Sequence, residues 1–562
     1  MTSEAVRRRR RRPGAAVFAA ALILFLVAGW FITVDRQFLM GDALSRVQSA
    51  QSVIFSRDPH VAAIGFVFTP LTALIQLPTV ALAHAFTWIT ADAVSGVVMS
   101  AVFMAGAVYH VWGVGRDRRL PTVCTVALTI LFAVHPMIVF YGGNGMSEAP
   151  FLFFLCWAVR RLIRWVDSDD VHDLVTAGIC LGLAYLTRYD AVAATAAAAA
   201  VVGVVSLQRR SPLRPLRWCI SRVVVDMALV VAPAVVAFVA WAATSWLITG
   251  NALAQFTSEY GNSAIVSQAG GTPGDLLQRI AFVVVDAFLL FPALLVGVVV
   301  IGARRITLGR AAPIGVPVAV FGAVLVFQGA SYVTGATFGF LRFYIAAVPL
   351  GVVVAMLALS ARSPVPARRP GRRVRPAEIR RPTARSQVIV ATIVIAATAV
   401  SLPSAWGLMA SQRYAPQEAA LRATVLDDAT ATGVRVDKDR RVAQSFSTER
   451  QIAEWLDAQR LPSGSVLVDT LYGFAILART TDPRRFVIPS DQDFTQILND
   501  PARFGIRYIL AVPRSGRGVT DAVNQRYPTL YGDGARIASL DLEFPNVADD
   551  LPTWRVYRVT PD

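Results

Sequence analysis

Apolar segments of about 20 residues, long enough to cross a bilayer, occur repeatedly along the first three quarters of this chain. Hydrophobic residues fill 55% of the 562 positions and charged residues only 16%, and the mean hydropathy is +0.52. A water-soluble chain of this length would divide into domains and would not need so much apolar surface. The sequence therefore predicts a polytopic α-helical membrane protein.

The first apolar segment, residues 15–34, follows six consecutive arginines, Arg7 to Arg12. It is longer than the apolar core of a signal peptide, and no small-residue cleavage site follows it, so we expect it to be retained. Ten further spans are predicted at 92–113, 121–140, 148–165, 172–188, 190–207, 222–248, 280–302, 312–333, 342–360 and 387–407.

Arginine-rich loops between the spans give the orientation, because basic residues stay on the cytoplasmic side. The arginines before the first span place the N-terminus in the cytoplasm. The loop 116–119 is then cytoplasmic only if the apolar stretch 61–89 does not cross the membrane. This stretch contains Pro70 and Pro78. We expect that stretch to form an extracytoplasmic helix pair lying along or dipping into the membrane. The result is eleven spans with the C-terminus outside.

In the last part of the chain, patterns typical of strands alternate with patterns typical of helices. Residues 465–469 and 507–512 read as buried strands, and helical patterns cover 448–459 and 494–503. This alternation predicts a small α/β domain that binds an acceptor or supports the membrane part. The predicted organisation is a cytoplasmic basic tail 1–14, a transmembrane catalytic domain 15–360, an Arg/Pro-rich cytoplasmic linker 361–386, a last span 387–407 and an extracytoplasmic α/β domain 408–562.

The net charge of +17 does not indicate a nucleic-acid partner, because the excess lies entirely in the membrane half. From Leu408 to Asp562 there are 19 basic and 20 acidic residues. The basic loops are instead determinants of topology and contacts for membrane lipid headgroups. Nearly every base is arginine, which is typical of a GC-rich bacterial genome and suggests a bacterial plasma membrane. No His/Cys cluster of zinc type is present, so no metal site is predicted.

Asp42 emerges on the outer side, just beyond the first span. A carboxylate there would serve as a general base for an acceptor hydroxyl, or would simply solvate a helix end. Arg46 stands four residues later and would share its face on a helix. It would pair with Asp42 or hold a phosphate.

Glu148 follows a glycine-rich outer segment, 141–147, that we expect to be a flexible loop and that contains Asn144. The acid stands at the start of a predicted span. There it would either favour the helix dipole or act beside Asp42 as a second catalytic carboxylate. Asn144 is placed with the substrate-binding candidates.

Arg188 and Arg342 lie at the outer ends of predicted spans, where positive charge is otherwise sparse. Such arginines often extend only to the headgroup region, but a guanidinium is also well suited to grip a lipid phosphate. Tyr344 accompanies Arg342, and Arg188 has Asp190 nearby to neutralise it. His60, in the first outer loop, is a candidate for assisting proton transfer or a solvated side chain.

These features resemble the GT-C superfamily, the polytopic glycosyltransferases that use polyprenyl-phosphate-linked sugars. The resemblance rests on Asp42 in the first outer loop, the membrane-hugging helices after it, Glu148 in the second outer loop, and Arg342-Phe343-Tyr344 with Pro349 in a late span. It extends over most of residues 15–360 and is strongest to bacterial mannosyltransferase-like or arabinosyltransferase-like proteins.

The resemblance implies an inverting transfer with Asp42 as base and Arg342 or Arg188 on the donor phosphate. The implied partners are a polyprenyl-phosphate sugar and a glycan, lipid or protein acceptor of the cell envelope. Phe68-Thr69-Pro70-Leu71 stands where many relatives carry His-Pro-Pro, and Glu148 replaces an Asp pair. The single Glu148 argues against a metal-dependent mechanism. No cofactor is predicted with certainty, and a divalent metal stays open without support from the sequence.

Two other classes of function compete with an enzyme. A flippase or transporter of lipid-linked sugars would show internal repeats and broken helices near the bilayer midplane, and the sequence has no repeat. A non-catalytic envelope-assembly protein would use the C-terminal domain to bind partners.

Overall fold

The computed structural model describes residues 3–209, 215–257, 266, 274–294, 308–360, 384–426, 434–548 and 551–561. Residues 361–383 of the predicted linker lie outside this set. Among the described residues up to 426, all regular structure is helical. The longer helices are Ser3–Gly29, Gly41–Phe55, Val94–Asp117, Thr122–Ala133, Pro136–Gly143, Glu148–Ser168, Val171–Tyr185, Ala191–Gln208, Leu216–Thr249, Leu276–Leu290, Leu308–Val333, Ala347–Leu359 and Ala384–Met409.

Seven helices of the described residues are long and apolar enough to cross a membrane. An eighth span results if the pair Thr122–Ala133 and Pro136–Gly143, bent by 60°, crosses as one unit. These eight coincide with eight of the eleven predicted spans. The other three correspond to Glu148–Ser168, which carries several arginines, and to the shorter Val171–Tyr185 and Leu276–Leu290. A multi-pass membrane protein is confirmed, whereas the total of eleven stays a prediction.

The apolar stretch 61–89 contains no helix of span length, as the orientation argument requires. It is broken into short helical turns, and its longest apolar helical part is Leu71–His84. The remaining short turns of this region and of the outer loops are Val61–Ile64, Trp88–Ala91, Ala254–Thr257 and Leu341–Tyr344. How this stretch contacts the membrane remains a prediction.

The glycines before Glu148 form a packing contact, and the expectation of a flexible loop is wrong. Gly142 and Gly143 end the helix Pro136–Gly143, and both are buried. A Cβ atom on Gly143 would lie 2.7 Å from the Cα atom of Gly29 in the first helix. Gly145, at φ +78°, approaches Gly96 in the same way. The glycines are needed because three helix backbones meet here without room for side chains.

The C-terminal part forms a five-stranded sheet in the order β2-β1-β3-β5-β4. The strands β1 (Val466–Leu467), β2 (Phe486–Val487) and β3 (Tyr508–Ala511) are parallel. The strand β5 (Trp554–Val559) pairs antiparallel with β3, and β4 (Ala538–Phe544) pairs antiparallel with β5, with a register irregularity between Leu540 and Leu542.

Helices flank this sheet on both faces, each over its own apolar cluster. The helices from residue 421 onward are Leu421–Leu426, Val434–Ala443, Ser447–Ala458, Thr470–Arg479, Pro483–Arg485, Phe494–Asn499, Gly516–Thr520, Ala522–Arg526, Leu530–Asp533 and Gly534–Arg536. Two predicted strands and two predicted helices are found close to their expected positions. The α/β prediction therefore describes this part correctly.

Replacing Gly143 by alanine is expected to destabilise the protein, because the new methyl group would collide with the backbone of Gly29. A clash with backbone cannot be relieved by a side-chain rotation, so a loss of roughly 1–3 kcal/mol is expected. Thermal unfolding in detergent measures it. The control is Gly407→Ala in the helix Ala384–Met409, where the added Cβ has no neighbour within 4 Å. Equal midpoints for both variants would contradict this packing.

Candidate functional site

The candidate site begins at the helix Gly41–Phe55, here called the Asp42 helix. Met40 precedes it with extended backbone, and Asp42 lies in its first turn, where negative charge is favoured by the helix dipole. Arg46 lies one turn later and donates from Nη1 to the backbone carbonyl of Asp42 at 3.0 Å. The two residues share a face, as their spacing predicts.

Arg342 reaches the Asp42 carboxylate across 300 positions of sequence. Its Nη2 atom donates to Oδ2 of Asp42 at 2.9 Å, and its Nε atom lies 3.8 Å from Oε1 of Glu148. Arg342 is held in the 3₁₀ turn Leu341–Tyr344, which precedes the buried helix Ala347–Leu359. The structure thus brings together Asp42, Glu148 and Arg342 from three separate parts of the chain.

Arg188 is neutralised by two buried carboxylates. Its Nη1 donates to Oε1 of Glu148 at 2.6 Å and its Nε to Oδ2 of Asp190 at 2.8 Å. The Glu148 and Asp190 side chains are only 1% and 2% exposed. Burial alone would lower the pKa of Arg188, but Asp190 and Glu148 together raise it above its ordinary value. Arg188 is therefore permanently charged and is held in place by these two acids.

Arg46 differs from the other two arginines, because no carboxylate among the described residues forms an ion pair with it. Its guanidinium lies over the ring of Phe68, 4.4 Å from the centroid, and its Nη1 approaches the Met146 sulfur at 3.9 Å. Its Nε is buried without a hydrogen-bond acceptor within the described part of the chain. Arg46 is thus the guanidinium best able to take an incoming anion.

The carboxylates of the site differ in accessibility. Surrounding protein would raise the pKa of Asp42 by burial, but Arg342, Arg46 and Arg188 outweigh that effect and hold the pKa below its ordinary value. Its side chain nevertheless remains 38% exposed on one side. Asp42 is therefore ionised and open to a substrate, whereas Glu148 is enclosed.

The remaining predicted residues differ in their positions. Asn144 accepts a hydrogen bond from the Met146 backbone N–H at 3.1 Å and so shapes the turn around Met146. The Met146 sulfur lies between Arg46 and Arg342. Tyr344 is buried and faces Phe282, with ring centroids 6.4 Å apart. His60 lies against the Asp58 carbonyl at 2.7 Å. Neither Tyr344 nor His60 is shown in contact with the Asp42 cluster.

Sequence reasoning missed two residues behind Arg342. Tyr141 donates to Oε1 of Glu418 at 2.5 Å, and Glu418 is 1% exposed. Burial raises the pKa of Glu418, although the Tyr141 hydrogen bond and the Arg342 charge oppose this. The only sequence signal for Glu418 is its position in a short segment after the last span. Nothing in the sequence connects it to Tyr141, 277 positions away.

Within the described residues, no group of three or more His, Cys, Asp or Glu side chains is arranged to hold a metal ion. The cluster instead contains three guanidinium groups and three carboxylates: Arg46, Arg188, Arg342, Asp42, Glu148 and Asp190. The charges of this cluster balance, so the position open to an incoming anion is Arg46, which forms no ion pair with a carboxylate among the described residues.

Residues 79–241 match the family model described as dolichyl-phosphate-mannose-protein mannosyltransferase. The resemblance to the GT-C superfamily is confirmed. The matched region includes Glu148 and Arg188 but neither Asp42 nor Arg342. None of the curated proteins gives a match to the chain.

Two solved structures show weak overall likeness to the chain. The oligosaccharyltransferase AglB from Archaeoglobus fulgidus has 12% identity and a TM-score of 0.43, over 90% of this chain and 70% of that one. The arabinofuranosyltransferase AftD from Mycobacteria has 15% identity and a TM-score of 0.42, over 98% of this chain and 42% of that one. Because these TM-scores lie below 0.5, nothing is inferred from either likeness.

Replacing Arg188 by glutamine is expected to destabilise the protein by about 3–5 kcal/mol, because it removes the cation held by Asp190 and leaves Glu148 with Arg342 at 3.8 Å. Denaturant unfolding in detergent measures the loss. The control is Arg558→Gln, which breaks an exposed pair with Asp541 and should cost far less stability. Equal stability of the two variants would show that the Arg188 network is not structural.

Proposed function

We propose that this protein is a membrane glycosyltransferase that moves a sugar from a polyprenyl-phosphate carrier to a hydroxyl group of a cell-envelope acceptor. The observation that carries the proposal is the contact between the accessible Asp42 carboxylate and Arg342, with Arg46 beside it. The transfer of a sugar from a lipid phosphate requires a base for the acceptor and groups that bind the phosphate, both in one site. The family match over residues 79–241 supports the same class of reaction.

Asp42 is the proposed general base because it is the carboxylate of the cluster that a substrate can reach. Its side chain is 38% exposed, against 1% for Glu148 and 2% for Asp190. Its lowered pKa keeps it ionised at neutral pH and therefore able to accept a proton. Glu148 instead acts by holding Arg188 and by lying near Arg342.

In the proposed reaction the acceptor oxygen attacks the anomeric carbon from the face opposite the phosphate, so that configuration inverts. Asp42 takes the proton of the acceptor hydroxyl as the new carbon–oxygen bond forms. The bond from the anomeric carbon to the phosphate oxygen breaks, and the polyprenyl phosphate leaves with its electron pair. Arg46 and Arg342 stabilise the charge that develops on that phosphate.

The orientation predicted from the basic loops places this site on the extracytoplasmic face. The N-terminus would lie in the cytoplasm, and the C-terminal α/β domain outside. A bacterial plasma membrane is the location this arrangement implies. The donor is proposed as a polyprenyl-phosphate mannose or arabinofuranose, and the acceptor as a glycan, lipid or protein of the envelope.

Asp42→Asn is expected to abolish sugar transfer while leaving the protein folded, because the amide keeps the shape but cannot accept the proton. The assay follows a radiolabelled short-chain polyprenyl-phosphate mannose, and in parallel the arabinofuranose analogue, with purified protein in detergent and an envelope extract as acceptor. The matched control is Asp35→Asn, the same change at an exposed acid seven positions earlier.

Product formed by the wild-type protein in detergent, without any membrane gradient, supports an enzyme over a flippase. Full activity of Asp42→Asn would reject the assignment of the base. Loss of activity in Asp35→Asn as well would indicate a general sensitivity of the outer segment.

Arg342→Gln is expected to move the acid limb of the pH–rate profile to higher pH. In the native site Arg342 is the largest contributor that lowers the pKa of Asp42, and burial acts in the opposite direction. Without Arg342 the carboxylate would protonate at a higher pH, so activity would be lost sooner on acidification. Arg413→Gln, at an exposed arginine after the last span, should leave the limb unchanged. Coincident acid limbs would contradict the coupling.

A further inference from the structure

The Asp42 helix lies between the membrane helices and the C-terminal α/β domain, which is called the soluble domain below. Its buried Leu44 and Val47 share an apolar cluster with Ala475 and Ala478 of the helix Thr470–Arg479. Asp42 and Arg46 instead reach Arg342 and the Met146 turn of the membrane part. One helix therefore carries the candidate base on one side and a contact with the C-terminal domain on another.

The N-terminal end of the Asp42 helix rests on two aromatic rings of the soluble domain. Phe446 and Phe474 pack edge to face, with centroids 5.6 Å apart. A Cβ atom on Gly41 would lie 3.5 Å from the Phe446 ring and 3.9 Å from the Phe474 ring. These rings thus lie in van der Waals range of the residue that precedes Asp42.

Polar contacts hold the chain that leads into the same end. The Asp92 Oδ1 atom accepts hydrogen bonds from Gln37 and from Arg450 of the soluble domain, each at 3.0 Å. Arg479 donates to Oε1 of Gln37 at 3.3 Å. Arg479 therefore binds the Gln37 side chain directly and Arg450 reaches it through Asp92, five residues before Asp42.

The C-terminal end of the helix is held by an ion-pair clamp. Arg57 donates from Nε and Nη2 to Oδ2 of Asp491, at 3.2 and 3.1 Å, and from Nη1 to Oδ2 of Asp493 at 3.0 Å. The next residue, Asp58, accepts from the Gln492 backbone at 3.0 Å. The Asp491 side chain is fully buried, so this clamp excludes water on one side.

We propose that the C-terminal domain is a positioning part of the active site, which holds the Asp42 helix at both ends and so fixes the base against Arg342. The inference rests on the proposed role of Asp42 and extends it to Arg57, Asp493 and Phe474 as positioning residues. None of these three touches the proposed reacting atoms. Loosening them would displace the base without removing any group that contacts the substrate.

Such a displacement should lower kcat more than it changes the KM for the donor. A shift of about 1 Å in a catalytic group costs up to about a hundredfold in rate, so a loss of roughly ten- to a hundredfold is expected. Arg46 lies on the same helix, so a smaller rise in the donor KM is expected as well.

The test uses the full chain in detergent with three variants, Arg57→Gln, Asp493→Asn and Phe474→Ala. The control is Arg558→Gln, which removes an exposed pair on the same domain. Two quantities are measured for each: kcat and KM in the transfer assay, and hydrogen exchange of the peptide covering Gly41–Phe55. Asp493 is 42% exposed, so Asp493→Asn keeps the test open if the other variants do not fold.

Faster exchange of Gly41–Phe55 together with a lower kcat, in at least one of the three variants and not in the control, supports the proposal. Unchanged exchange in every folded variant overturns it, and so does faster exchange with unchanged kcat. If the wild-type protein transfers no sugar from the donors tested, the proposed function fails, and the exchange data alone decide whether the domain holds the helix.

Discussion

The contact between Arg342 and Asp42 is the constraint on which the rest of the site depends. It joins two segments 300 positions apart, and it places a permanent positive charge beside an accessible carboxylate. Without that charge, burial would favour the protonated acid, which could not act as a base. The same guanidinium lies 3.8 Å from Glu148, so it also connects Asp42 to the enclosed Arg188 network.

The three arginines of the cluster have different roles because their hydrogen-bond and ion-pair partners differ. Arg188 is held by two buried acids, so drawing it toward a substrate would deprive Asp190 of its cation and leave Glu148 with Arg342 at 3.8 Å, which is costly in a low-dielectric site. Arg342 is shared between Asp42 and Glu148. Arg46 contacts a carbonyl, a thioether sulfur and an aromatic ring, and it forms no ion pair with a carboxylate in the described part of the chain. In the proposed reaction an incoming phosphate would therefore be bound at the lowest cost by Arg46, and Arg342 would turn toward it as Asp42 takes the proton.

The predicted topology accounts for how much of this cluster could be predicted from sequence. It puts Asp42, Glu148, Arg188 and Arg342 in one thin layer on the same side of the membrane, where charged groups have few positions available, and the structure brings these four residues together. The packing of Gly143 on Gly29 could not be predicted, because glycine patterns do not reveal which helices approach each other. The Tyr141–Glu418 pair was equally hidden, since it depends on how the segment after the last span folds back into the membrane part.

The contact between the soluble domain and the Asp42 helix could not be predicted either. Arg57 and Asp491 are 434 positions apart, and each resembles an ordinary surface charge. Their pairing changes how the site is assembled. The Asp42 helix has 15 residues, and isolated helices of this length are marginal. Its contacts with the membrane helices on one side and with the C-terminal domain at both ends therefore stabilise it. On the proposed mechanism, Asp42 would keep its place as the base only while the two parts remain docked. The candidate site would then be a property of the whole chain, although the six charged groups of its cluster belong to the membrane part.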